Sequence, residues 1–209
     1  QVIATKVNRV QAQKIKDEKL AGVGFDASTQ RVYPEGALAS QVLGFVNGEG
    51  QGKYGFEQAN DETLAGKDGE LKTVTDVRDV PLTVTDKNIK KPAVNGKNMV
   101  LTIDRNVQSK VEEALMAGVK RSGATRASAI VMDPQTGKVL AMANVPTYDP
   151  SNLNVKDVAV FNNSTISNPY EPGSDIKTFT VATGIDRGVI TPDSTYDNTG
   201  KIKVEDITI

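Results

Sequence analysis

The chain has 209 residues, with 25 basic and 26 acidic side chains and neither histidine nor cysteine. A Ser-His-Asp triad, a thiol nucleophile, a disulfide and a zinc site built on these residues are therefore excluded. The balanced charge gives no reason to expect nucleic-acid binding, no cofactor motif is found, and no apolar run approaches the roughly 18 to 20 residues of a membrane span. A nucleophile here would be Ser or Thr, assisted by Lys, Asp, Glu or Tyr.

The first half of the chain predicts short elements separated by glycine and proline. In chain order they are a helix over 8–20, a strand over 23–33, a short helix and loop within 35–46, a helix over 56–65 and a strand from 70 onward. The polar, turn-rich stretch 83–98 is typical of a domain boundary. We therefore expect two domains, divided between residues 96 and 97.

Five glycines follow one another closely in this half: Gly44, Gly48, Gly50, Gly52 and Gly55. Such a series is found in loops that bind phosphate. However, no G-K-[ST] sequence follows, and no strand-loop-helix pattern surrounds the series. We therefore do not predict a phosphate site.

The second half opens with a predicted strand over 99–103, followed by a helix for which Asp104 is a suitable N-cap. The apolar residues of that helix recur every four positions and predict one buried face: Val107, Val111, Leu115 and Val119. Two strands joined by a P-Q-T-G turn are expected from residue 127 to 145. Residues 144–170 predict a long ordered loop or lid, and two short strands are expected near the end of the chain.

Residues 170–180 read Y-E-P-G-S-D-I-K-T-F-T and predict a loop that enters a helix at Ser174. Lys177 follows three residues later, so the hydroxyl and the amine can share one side of the helix. This pair is the first part of an S-x-x-K active site. With ten Ser and 18 Lys in the chain, about one such spacing is expected by chance. Taken alone, the pattern favours the simpler explanation that Ser174 is a helix N-cap and Lys177 a solvated charge.

Five segments, in the same order, resemble the class B penicillin-binding proteins, the D,D-transpeptidases of the bacterial cell wall. The segments are R-V-Y-P-E-G-A-L-A-S-Q-V-L-G-F-V (31–46), Y-G-F-E-Q with L-A-G-K-D-G (54–69), L-T-I-D-R-N-V-Q (101–108), A-I-V-M-D-P-Q-T-G-K-V-L-A-M-A (129–143) and Y-E-P-G-S-D-I-K (170–177). The resemblance covers nearly the whole chain. It implies an α+β protein in which an elongated, β-rich pedestal of the dimer type (1–96) precedes the first part of a serine β-lactamase-like transpeptidase domain (97–209).

The resemblance also implies a reaction. Ser174 would attack a peptidoglycan stem peptide, Lys177 would accept the serine proton, and β-lactams would acylate the same serine. Further implications are a location on the outer face of the bacterial cell membrane and contacts between the pedestal and membrane proteins of cell division or elongation. No nucleic acid and no cofactor are implied.

Two departures from the family pattern stand out. The family's S-x-N and K-[TS]-G motifs are absent, and both ends of the chain look like cuts in a longer protein, so we expect these 209 residues alone to be nearly inert. Asp175 places a carboxylate near Lys177, which would favour the charged amine. A non-catalytic scaffold or a penicillin-sensing module is the alternative, although the motifs at 31–69 argue against a sensor.

Overall fold

The computed structural model describes residues 2–5, 7–26, 28–72 and 89–208. They belong to two compact units, residues 1–167 and residues 168–209. Both units combine helices with antiparallel two-stranded sheets, which confirms the predicted α+β class. No helix in these ranges has the length and apolar character that a membrane crossing requires. The division between residues 96 and 97 stays a prediction.

The first half of the chain contains short elements. They are α1 (Arg9–Asp17), α2 (Ser40–Leu43), β1 (Phe45–Val46), β2 (Gly52–Lys53), α3 (Gly55–Ala59), α4 (Asp61–Leu64), β3 (Glu70–Lys72) and β4 (Ile89–Lys91). Strand β1 pairs with β2, and β3 pairs with β4. The predicted helix over 8–20 is confirmed as α1, and Asn8 caps it by accepting a hydrogen bond from the Gln11 backbone N–H. The rest of the strand predicted from residue 70 lies outside the described residues.

The second half contains the longer elements. They are α5 (Arg105–Ser122), β5 (Ala127–Met132), β6 (Val139–Val145), a 3-10 helix (Val158–Phe161), α6 (Ser164–Ser167), a 3-10 turn (Gly173–Asp175), α7 (Ile176–Asp186), β7 (Lys203–Val204) and β8 (Ile207–Thr208). The predicted hairpin is confirmed, because β5 and β6 pair in antiparallel register. Asp104 is the N-cap of α5, as predicted, and its side chain accepts from the N–H groups of Asn106 and Val107.

Two predicted strands are wrong. Among the described residues of 23–33 none lies in a strand. Instead, the side chains of this stretch bind later residues of the chain: Arg31 forms an ion pair with Glu57, and the Tyr33 hydroxyl accepts a hydrogen bond from the Val46 N–H. Residues 99–103 are also irregular. An alternating or apolar run predicts a strand only where another strand is available to pair with it.

The segment around residues 99–108 nevertheless covers the outer edge of β6. Thr102 Oγ1 donates to the Val139 carbonyl at 2.7 Å, and the Asp104 N–H donates to the Leu140 carbonyl at 2.8 Å. Further along, the Gln108 side chain hydrogen-bonds both backbone groups of Met142. These contacts replace a neighbouring strand and leave the edge unavailable to another chain.

An aromatic cluster joins the two halves of the first unit. Phe45 of β1 packs against Phe161 and Tyr148, with ring centroids 4.9 and 6.1 Å apart, and Tyr148 and Phe161 meet edge to face at 4.8 Å. Tyr54 completes the cluster. Because Phe45 and Phe161 lie 116 positions apart in the numbering, the cluster ties the segment after α2 to the segment after β6.

Helix α2 adds a buried polar connection beside this cluster. Ser40 is completely buried, and its Oγ lies 2.9 Å from Thr147 Oγ1. Gln41 Nε2 donates to the carbonyls of Pro146 and Val160 at 3.0 and 3.2 Å. The Tyr148 hydroxyl donates to the Ser40 carbonyl at 2.9 Å. Helix α2 thus holds the predicted loop that follows β6 at several points.

The glycine series allows backbone segments to cross closely. At Gly44, whose φ is +76°, a Cβ atom would lie 2.1 Å from the Tyr54 carbonyl oxygen, and at Gly52 it would lie 2.2 Å from that of Glu57. A side chain at either position would collide with backbone. Close backbone packing therefore explains Gly44, Gly52 and Gly55 of this series.

Gly44 and Gly50 form a matched pair for testing this explanation. Both have a left-handed φ, but a Cβ at Gly50 would meet no atom within 4 Å. We expect Gly50→Ala to lower the free energy of unfolding by about 1 kcal/mol, the cost of the left-handed backbone alone. Gly44→Ala should cost at least about 3 kcal/mol because of the added collision. Urea unfolding followed by circular dichroism measures both values, and equal costs would contradict the account.

Tyr148 provides a test at alkaline pH. Burial raises the pKa of its phenol, so the folded protein keeps the proton while the unfolded chain loses it above about pH 10. The free energy of unfolding therefore keeps the full contribution of this phenol below pH 10. It falls as the pH rises further, by about 1.4 kcal/mol at pH 11. We expect Tyr148→Phe to remove this part of the loss when unfolding at pH 8 and pH 11 is compared. Tyr196→Phe, at a site 84% exposed, is the control. An undiminished loss in Tyr148→Phe would refute the assignment.

Candidate active site

The candidate nucleophile lies in a tight turn at the start of a helix. The Pro172–Gly173 pair begins the turn, and the Asp175 N–H donates to the Pro172 carbonyl at 3.0 Å. Ser174 is the middle residue of the 3-10 turn, and α7 begins at Ile176. The predicted entry from loop to helix is confirmed. The N-cap position of α7 belongs to Asp175 rather than Ser174. Within the described residues no hydrogen bond from the Ser174 side chain caps the helix, so the explanation of Ser174 as an N-cap is not supported.

Ser174 and Lys177 are three residues apart across the junction of this turn with α7. At that spacing two side chains project from the same side of a helical segment. Both side chains are exposed. Within the part of the chain that the structure describes, neither Ser174 Oγ nor Lys177 Nζ makes a hydrogen bond or an ion pair. The spacing thus places the two groups on one side of the segment, and both are accessible from solvent.

Asp175 lies two positions before Lys177. Side chains two residues apart on a helix do not face each other. The effect of Asp175 on Lys177 expected from the sequence stays a prediction. As a negative group at the N-cap position of α7, Asp175 interacts favourably with the helix dipole.

The surroundings of this pair on α7 are apolar and exposed. Ile176, Phe179, Val181 and Ile185 have exposed fractions between 43% and 69%. A helix with apolar residues on every side is typically buried, whereas these apolar residues of α7 are exposed. Across residues 2–5, 7–26, 28–72 and 89–208, acidic side chains do not gather in threes as metal ligands would. The chemistry available at this site is that of a hydroxyl, an amine and the start of a helix.

Sequence reasoning missed a group of polar residues that precedes this segment. Asn144, 4% exposed, donates from Nδ2 to Asn163 Oδ1 at 2.9 Å. The same oxygen accepts from Thr165 Oγ1 at 2.6 Å and from the Thr165 N–H at 3.3 Å. Asn163 therefore fixes the first turn of α6 to strand β6. The only signal in the sequence was an Asn-rich stretch, which predicts a loop rather than an anchor.

Comparison with protein families accounts for both halves of the chain. Residues 1–101 match the penicillin-binding protein dimerisation domain, and residues 127–209 match the penicillin-binding protein transpeptidase domain. The fold and the order of these two domains define a class of penicillin-binding proteins in which a dimerisation domain precedes a transpeptidase domain. The chain belongs to the penicillin-binding protein family.

Individual relatives agree with this assignment. Penicillin-binding protein PbpB of Mycolicibacterium smegmatis is 34% identical over 99% of this chain and 32% of its own length. Peptidoglycan D,D-transpeptidase FtsI of Escherichia coli is 34% identical over 92% of this chain and 32% of its own length. The structure of penicillin-binding protein 3 from Mycobacterium tuberculosis complexed with ampicillin superimposes with a TM-score of 0.66, at 34% identity, over 85% of this chain and 36% of that one. The chain thus spans about a third of these relatives.

Proposed function

We propose that the complete protein is a serine-type peptidoglycan D,D-transpeptidase and that Ser174 is its nucleophile. The observation that supports the proposal most strongly is the position of the S-x-x-K pair. It lies at a helix start within the segment that matches a transpeptidase domain. The spacing alone is a chance-level match. The position of the pair along the chain is therefore the stronger evidence for an active site.

The proposed reaction has two steps. Ser174 Oγ attacks the carbonyl carbon of the penultimate D-alanine of a stem peptide, and an ester forms while the bond to the terminal D-alanine breaks. The released D-alanine nitrogen takes up a proton. An amine of a neighbouring stem peptide then attacks the ester, which forms the cross-link and restores the serine hydroxyl.

Lys177 is the proposed proton acceptor for Ser174. It can act as a base only while its amine is neutral. After accepting the serine proton, it returns a proton to the departing D-alanine nitrogen. The Ser174 backbone N–H is the proposed first donor of an oxyanion hole for the tetrahedral intermediate.

The proposal extends to inhibitors, location and partners. The solved relative from Mycobacterium tuberculosis binds ampicillin, and we propose that β-lactams acylate Ser174 in the same manner as the stem peptide. We further propose that the protein works on the outer face of the cell membrane and that residues 1–96 contact membrane proteins of division or elongation. FtsI, the name of one relative, favours division.

Labelling of the full-length protein with a fluorescent penicillin tests the site. We expect Ser174→Ala to reduce the labelling rate at least about thousandfold, because the nucleophile is lost. Lys177→Ala should reduce it by about 100-fold or more, because the general base is lost.

Ser151→Ala and Lys156→Ala are matched controls, since both positions are exposed on the loop that follows β6. Neither should change the rate. Undiminished labelling of Ser174→Ala would refute the assignment of the nucleophile. A folded full-length protein that reacts with no penicillin would instead favour the scaffold alternative.

A further inference from the structure

The most heavily used side chain outside the candidate site is Gln108 of α5. It is completely buried, and its Oε1 accepts from the Met142 N–H at 2.8 Å. Its Nε2 donates to the Met142 carbonyl at 3.0 Å and to Glu112 Oε1 at 2.8 Å. Both donors of the amide are thus occupied. Gln108 binds strand β6 and Glu112 simultaneously.

Glu112 continues this connection into the first half of the chain. Its Oε1 also accepts from the Ala39 N–H at 2.8 Å. Ala39 is the N-cap of α2 and has a left-handed backbone, with φ +54°. Such a conformation is unfavourable for alanine unless neighbouring groups hold it. The hydrogen bond from Glu112 is one of the contacts that hold the start of α2 in place.

The connection continues from Met142 towards α6. Asn163 Nδ2 donates to Met142 Sδ at 2.9 Å, and Asn163 Oδ1 accepts from Asn144 and from Thr165 in the first turn of α6. A continuous series of polar contacts therefore runs from Ala39 through Glu112, Gln108 and Met142 to Asn163. We call these five residues the polar relay.

We propose that the polar relay couples the α2 turn to α6 within the first unit, with Glu112 and Gln108 as its central members. The segment that matches a dimerisation domain is thereby connected to the segment that matches a transpeptidase domain. Conformational coupling of this kind is carried by contiguous contacts whose members respond together. Loss of the Glu112 acceptor should release Ala39 and Gln108, and the effect should reach Asn163.

Glu112 is the best position for a test because its side chain is only half buried. Glu112→Ala removes the acceptor for both Ala39 and Gln108, whereas Glu112→Gln keeps an acceptor oxygen and should restore the coupling. Glu113→Ala is the matched control, since the adjacent Glu113 is exposed and interacts with Lys110 and Ser109 of its own helix.

The first measurement is nuclear magnetic resonance of the 209-residue chain. We expect Glu112→Ala to shift the side-chain amide signals of Asn163 and the backbone signals of residues 164–167. Glu112→Gln and Glu113→Ala should leave these signals in place. Shifts that stop at Met142, or that appear equally in Glu113→Ala, would overturn the coupling whatever the protein's activity is.

The second measurement is urea unfolding of the same chain. Glu112→Ala and Asn163→Ala should each lower the urea concentration at the midpoint of unfolding, and Glu112→Gln should recover it. The double variant should lose less stability than the sum of the two single losses, because both residues belong to one series of contacts. Strictly additive losses would overturn a shared relay.

Discussion

The hydrogen bonds between the Gln108 amide and the backbone of Met142 are the interaction on which the first unit depends. They attach the long helix α5 to the outer edge of β6 in the way that a paired strand would. A buried amide of this kind is stabilising only when all its partners are present, because an unpaired polar group in the interior costs about 1 to 3 kcal/mol. Glu112, Met142 and Ala39 are therefore fixed together.

This arrangement gives the first half of the chain a structural role in the second. Helix α2 lies within the segment that matches a dimerisation domain, yet its Ser40 and Gln41 side chains bind residues 146–160. Phe45 adds an apolar contact with Tyr148 and Phe161. The α2 turn is thus packed as part of the fold that precedes the candidate nucleophile.

Local signals in the sequence predicted the elements that depend on local physics. Asp104 caps α5 and the P-Q-T-G turn joins β5 to β6, because capping and turn formation involve residues a few positions apart. The S-x-x-K pair was likewise visible. The resemblance to penicillin-binding proteins then supplied the fold class and the family, which the comparisons confirm.

Elements that depend on distant partners could not be predicted in this way. In the part of the chain that the structure describes, no strand pairs with the stretch 23–33. The stretch 99–104 contacts β6 through the Thr102 side chain and the Asp104 N–H group. Gln108, Ser40 and Asn144 are polar and would ordinarily be placed on the surface. Their burial follows from partners 34, 107 and 19 positions away, which no local pattern reveals.

The central claim is that Ser174 is the acylated residue. It is tested most directly by incubating the full-length protein with ampicillin, digesting it and locating the added mass by tandem mass spectrometry. We predict the intact mass of ampicillin on Ser174 and on no other serine, since ring opening expels no fragment. The adduct should be absent from Ser174→Ala. An adduct on another residue, or one that persists in Ser174→Ala, would contradict the account.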